Sequence, residues 1–259
     1  MRIALGIEYA GTYFCGWQIQ SHSRTVQGEL QKAVSVVANH RVEVYAAGRT
    51  DTGVHGLNQV VHFDTDSIRE KRSWLLGINA NLPKDVNVTW VEFVDDDFHA
   101  RFSAIKRSYR YLILNRLSRS SIHQHRMWWH YPPLDIERMQ AAADQLVGQH
   151  DFSAFRASEC QAKSPIKTLD KISISQQQDC IAIDVEALSF LHHMVRNLVG
   201  VMTAIGDGSK PVEWAGEVLR STDRSQGGIT APAEGLYLVD VRYPEQYSIP
   251  AVSAFPVLW

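Results

Sequence analysis

The stretch VEVYAAGRTDTGVHGLNQVVHFD, Val42 to Asp64, decides how the chain reads. Two segments of strand character, Val42–Ala47 and Leu57–Asp64, flank the loop Gly48–Gly56, which holds three glycines, two threonines and one carboxylate, Asp51. Upstream, Arg2–Tyr9 alternates with Ile3, Leu5 and Ile7 on one face, the period of a half-buried strand. Thr25 is placed as the N-cap of a helix whose Val26, Leu30, Ala33, Val34 and Val37 recur at helical spacing. Downstream, the spacing predicts a helix near Ile68–Ile78 and a strand near Val86–Val94. The resulting order, βαββαβ, is that of a ferredoxin-like unit.

The second half repeats the order. Strand Lys106–Asn115 is followed by helix Leu134–Val147, strands Ile166–Ser175 and Cys180–Ala187, helix Phe190–Ile205 and a last strand Leu236–Val241. The expected fold class is therefore α+β, with two ferredoxin-like halves, 1–104 and 105–259, packed together around a central, mainly antiparallel sheet with a cleft between them. Asp95–Ala104 contains no Pro- or Gly-rich linker, which favours packed rather than swinging halves. Val212–Leu219 reads as one more short helix, and the stretches 149–165 and 211–222 carry no periodicity that assigns a role.

Of the 259 residues, 45% are hydrophobic and 21% charged, enough apolar surface to offset the entropy of folding. No apolar run reaches the roughly 18–20 residues that cross a bilayer, and the first residues lack the blocks of a signal peptide, so a cytoplasmic, non-membrane protein is expected. Three cysteines without a CxxC pattern argue against a disulfide framework or a zinc knuckle. The net charge of −2 conceals a segment, Phe98–Leu134, with seven basic residues and no Asp or Glu. Charge of that kind suits phosphate contact, with Arg101, Arg107 and Arg110 as candidates.

Asp51 is the candidate catalytic group, because glycines allow close approach to the loop while hydroxyls and Arg49 hold a carboxylate ionised. Asp-Thr-Gly is also ordinary turn chemistry. It occurs in aspartic proteases too, but those need a second copy, which this chain lacks, and are built almost wholly of strands. On KRSYRYLIL, Tyr109 and Tyr111 alternate with arginines, a pattern suited to stacking on bases. In the apolar helix FLHHMVRNLVG, Arg196 needs a partner against desolvation, and Asp51 is the candidate. His192 and His193, adjacent on a helix, should project about 100° apart, and no metal site is expected.

The words GWQ (16–18), AGRTDTGVHG (47–56), QVVHFDT (59–65), NANLP (79–83), DDFHARFSA (96–104), YRY (109–111), HHMVRNLVG (192–200) and AEGLYLV (233–239) together resemble the bacterial tRNA pseudouridine synthase A family, TruA. The resemblance implies isomerisation of uridine to pseudouridine at positions 38 to 40 of the tRNA anticodon stem-loop, no cofactor, and a homodimer. It further implies Asp51 as the catalytic aspartate, Tyr109 as the tyrosine packing on the target uracil and Arg196 as the arginine paired with the aspartate. Arg49 corresponds to an RNA contact and Leu236 to an apolar wall of the pocket. Ala10 departs from a common Asp, and Gly56 from a common Ala. A noncatalytic RNA-binding module and an aspartic hydrolase remain as alternatives, as do three routes for Asp51: attack at C1′, addition at C6 or removal of the 2′ proton.

Overall fold

The computed structural model describes residues 1–250. In chain order the elements are β1 (Arg2–Tyr9), α1 (Val26–Ala38), β2 (Tyr45–Ala46), β3 (His55–Asp64), α2 (Lys71–Asn81), β4 (Val86–Val94), β5 (Lys106–Asn115), β6 (Trp128–His130), α3 (Ile136–Asp144), β7 (Gly148–Asp151), β8 (Ile166–Gln177), β9 (Cys180–Ala187), α4 (Met194–Gly206), α5 (Trp214–Ser221) and β10 (Leu236–Arg242). They form two compact units, Met1–Arg107 with the described residues 237–250, and Ser108–Leu236. The division thus falls after Arg107 instead of Ala104. The body of β10, assigned by sequence order to the second half, joins the first unit, where Tyr237 and Leu238 pair in parallel with His55 and Gly56 of β3.

In the first unit the strand order is β4-β1-β3-β10, with β2 also on β3. β1 runs antiparallel to both β3 and β4, as a βαββαβ unit requires. α1 and α2 lay Leu30, Val34, Trp74 and Ile78 over Ile3, Leu5, Ile7, Val61 and Phe63, all buried in one core. Thr25 caps α1 through its side chain, which accepts from the Gly28 N–H. β1 is covered on both faces, not one: Ala4 and Gly6 are buried too, and the Trp90 indole lies over Gly6. The strand expected over Val42–Ala47 shrinks to two residues for a definite reason. The Val42 and Val44 N–H groups donate to Ser35 Oγ and Gln31 Oε1 of α1, and the Val44 carbonyl accepts from Gln27 Nε2, so side chains take the bonds a ladder would use.

In the second unit the order is β5-β9-β8-β7, with β6 on β5. β7 and β8 pair antiparallel, as do β8 and β9. β6 and β7, too short to show a period, were not expected. α4 is buried on nearly all sides and mostly apolar, as suits a core helix, with Arg196, Asn197 and Thr203 as its polar members. It begins at Met194 instead of Phe190, because His193 takes a left-handed conformation with φ 62°. Among the described residues no helix is long and apolar enough to cross a membrane.

Candidate active site

The first unit holds the Asp51 loop rigidly at several points. Its entry is tied to β3 by the Ala47 N–H on the Val60 carbonyl (2.8 Å) and by Gln59 Nε2 on the Gly48 carbonyl (2.7 Å). Thr50 is buried. Its hydroxyl bonds the Tyr9 hydroxyl at 2.8 Å, and its carbonyl accepts from the Trp17 N–H at 3.0 Å. Asp51 itself is half-buried and Arg49 is exposed. The Val54 N–H then donates to the Asp51 carbonyl at 3.2 Å, closing a four-residue turn in which Gly53 sits at φ 82°. Such a turn wants glycine at its third position, since positive φ is costly for a side chain there. The exit is fixed by the Gly11 N–H on His55 Nδ1 (3.1 Å), with the His55 ring stacked on Tyr237 at 4.6 Å. Gly56 has a local reason as well: a Cβ there would lie 2.4 Å from the Tyr9 ring, so an Ala would displace the tyrosine that holds Thr50.

Arg107 belongs to this unit. It is buried, and its guanidinium donates to the Ala47 carbonyl through Nε (3.2 Å) and Nη2 (2.7 Å) and to the Arg101 carbonyl through Nη2 (2.9 Å). One nitrogen thereby joins the start of the Asp51 loop to the turn that displays the exposed Arg101. Charge-assisted bonds of this kind are short and directional, and they compensate for burying the guanidinium.

Tyr109, Arg110, Arg196 and Leu236 lie in the second unit. On β5 Tyr109 packs edge-on to Phe190 with centroids 5.1 Å apart. Tyr111 is fully buried, donates to the Pro232 carbonyl at 2.7 Å, and has its hydroxyl pKa pushed well up by that burial. Arg110 points to the other face of the strand and makes a bidentate pair with Asp184 at 2.7 and 2.8 Å. Leu236 is buried at the start of β10.

Arg196 is half-buried on α4, and its Nε donates to the Ala231 carbonyl at 2.7 Å while its own carbonyl accepts from the Ala231 N–H at 3.2 Å. The segment it grips is held in turn by Asn197. That amide donates to the Phe155 carbonyl (2.8 Å) and accepts from Thr230 Oγ1 (2.7 Å) and Arg224 Nη2 (3.1 Å). Asn197 stood out in sequence only as a polar residue in an apolar helix; Arg224 and Thr230 gave no signal, because their role exists only once the chain returns to α4.

The expectation for the two histidines needs correction. His192 and His193 have ring centroids 4.1 Å apart, because both precede α4 and His193 is left-handed. The helical projection used to argue against them as a pair does not apply.

The fold is α+β, and its first unit presents a carboxylate on a multiply anchored loop. A family model described as tRNA pseudouridine synthase matches residues 6–103 and 142–244. The chain is 51% identical over 259 residues to tRNA pseudouridine synthase A of Nitrosococcus oceani, covering 100% of both. It is 52% identical to that of Alcanivorax borkumensis, covering 100% of this chain and 97% of the relative. Against that of Hydrogenovibrio crunogenus it is 48% identical over 257 residues, covering 99% and 98%. The chain belongs to the tRNA pseudouridine synthase family and is an isomerase acting on tRNA.

Proposed function

We propose that the chain isomerises uridine at positions 38 to 40 of the tRNA anticodon stem-loop, with Asp51 as its catalytic carboxylate. The observation that carries this reading is the Asp51 loop, anchored at both ends and turned through Gly53. Pre-organisation of that kind lets a carboxylate act without rearrangement at the moment of reaction. A stacked uridine is out of reach, so the base is first extruded, at a cost of a few kcal/mol. In this reading, which rests on the resemblance to the family, Tyr109 is the tyrosine that packs on the uracil, Leu236 an apolar wall for the base and Arg196 the arginine assigned to the aspartate. The C1′–N1 bond breaks, the uracil turns while held, C5 bonds to C1′ and the C5 proton leaves as N1 gains one. Substrate and product have the same composition, so no co-substrate is consumed.

Arg49 and Arg101, both exposed, contact RNA phosphates. Arg107 and Arg110 serve the RNA by positioning, since the guanidinium of the first spans two backbone carbonyls and that of the second is paired with Asp184. The working enzyme is a homodimer in the cytoplasm, as the resemblance to its family suggests.

The test is tritium release from tRNA carrying 5-tritiated uridine, with carbodiimide and primer-extension mapping of the product. Release with stops at 38 to 40, reduced about 10²-fold or more in Asp51→Asn, is expected. Full release by Asp51→Asn would remove the carboxylate role, and stops elsewhere would remove the positional assignment.

A further inference from the structure

We propose that the turn His99–Ser103 is a second RNA platform, on which Phe102 stacks an unpaired base flanking the target uridine while Arg101 meets the adjoining phosphate. The inference rests on the tRNA isomerase reading and adds a contact that the catalytic residues do not supply.

The backbone groups of His99, Ala100 and Arg101 are all bonded, as is the Ser103 N–H. The Ser103 N–H donates to the His99 carbonyl at 2.9 Å, and the His99 N–H to Ser103 Oγ at 2.9 Å. Two imidazoles accept from it: His99 Nδ1 from the Arg101 N–H (3.1 Å) and His62 Nδ1 from the Ala100 N–H (3.2 Å). The Tyr243 hydroxyl donates to the Ala100 carbonyl at 2.7 Å, and Arg107 to the Arg101 carbonyl at 2.9 Å. A turn fixed this thoroughly displays a phenyl ring that is 75% exposed. Phe102 rests on the His99 ring at 4.4 Å, with the Arg101 guanidinium 5.5 Å from its centroid. Beneath it His99 contacts His62 at 4.6 Å, and Tyr45 stacks on His62 at 5.2 Å.

An exposed ring gains little from folding, so its rigid presentation points outward, to a partner with a flat apolar face. A nucleobase has that face, and base–aromatic stacking needs no sequence match. The placement agrees, because the same Arg107 nitrogen that holds this turn also holds Ala47, where the Asp51 loop begins. The electrostatics select stacking over broad phosphate binding. Asp95, Asp96 and Asp97 are exposed just before the turn, and Arg2 on that side is already paired with Asp64 while donating to the Asp96 and Phe98 carbonyls. Arg101 therefore serves a single phosphate.

The experiment is titration of a fluorescent anticodon stem-loop RNA by the full chain at several salt concentrations, with tritium release measured in parallel. Phe102→Ala should raise Kd about 5- to 150-fold without changing the salt slope. Phe102→Trp should restore binding, and Arg101→Gln should flatten the slope by about one. Unchanged Kd in Phe102→Ala would overturn the platform while leaving the isomerase reading intact. So would a defect that sedimentation traces to loss of self-association. Failure of the unaltered chain both to bind the RNA and to release tritium would overturn the two together.

Discussion

Lowering the pH from about 7 to about 5 should destabilise this protein by about 2 kcal/mol through one side chain, His62. Burial, with the neighbouring His99 and Arg2 adding to it and Asp64 opposing, lowers the His62 pKa to about 4. Its unfolded value is the ordinary 6.5. A depressed histidine pKa means that the unfolded chain binds the extra proton first as pH falls. Stability is therefore full above pH 6.5 and declines as the pH falls toward 4. Two-state linkage with those values gives a loss of about 2 kcal/mol at about pH 5, rising to roughly 3 kcal/mol below about pH 4. The geometry agrees, since His62 Nδ1 accepts the Ala100 N–H and a protonated ring would oppose one N–H with another. His99, whose pKa burial also lowers, acts in the same direction.

The assay is urea unfolding of the unaltered chain and of His62→Asn between about pH 7 and pH 5. The Asn carbonyl keeps an acceptor near Ala100 but does not titrate, and His99 stays in both proteins. The unaltered chain should lose about 2 kcal/mol more than the variant over that range. Equal pH dependence in the two would refute the burial argument, as would an imidazole proton resonance of His62 that titrates near its ordinary value. Catalysis should weaken over the same range, because both imidazoles hold the turn that carries Arg101.

Two further substitutions probe the supports of each unit. Arg107→Met keeps the apolar stem but leaves the Ala47 and Arg101 carbonyls without their donor; a loss of roughly 2–4 kcal/mol in urea unfolding is expected, with kcat lowered in the folded fraction. Thr230→Val removes the hydroxyl that Asn197 and Arg224 share, and should cost about 1–3 kcal/mol while lowering kcat more than it changes KM, measured by tritium release.

Much was legible in the residues alone. β1, β4, β5 and β9 stand at their expected bounds, and in β9 strict alternation over eight residues leaves one register that buries the apolar set. Thr25 caps α1 because a cap is a local bond, set by residues three apart. The Asp51 loop could be singled out for the same reason: glycine at positive φ and hydroxyls beside a carboxylate are written in consecutive residues. Bonds between distant residues were not legible. Val42 and Val44 have strand character, yet their N–H groups found α1 side chains; β10 follows the second half in order, yet its body pairs with β3; the left-handed His193 delayed α4 and brought two histidine rings together. Arg107 looked like a phosphate ligand, as any arginine in a basic run does, until the fold placed two carbonyls against its guanidinium. Sequence determined the α+β class and the repeat of strands and helices and singled out the Asp51 loop, because periodicity and turn chemistry act locally. Tertiary structure decided what each arginine and histidine is for, because a buried polar group takes its role from whichever distant partner satisfies it.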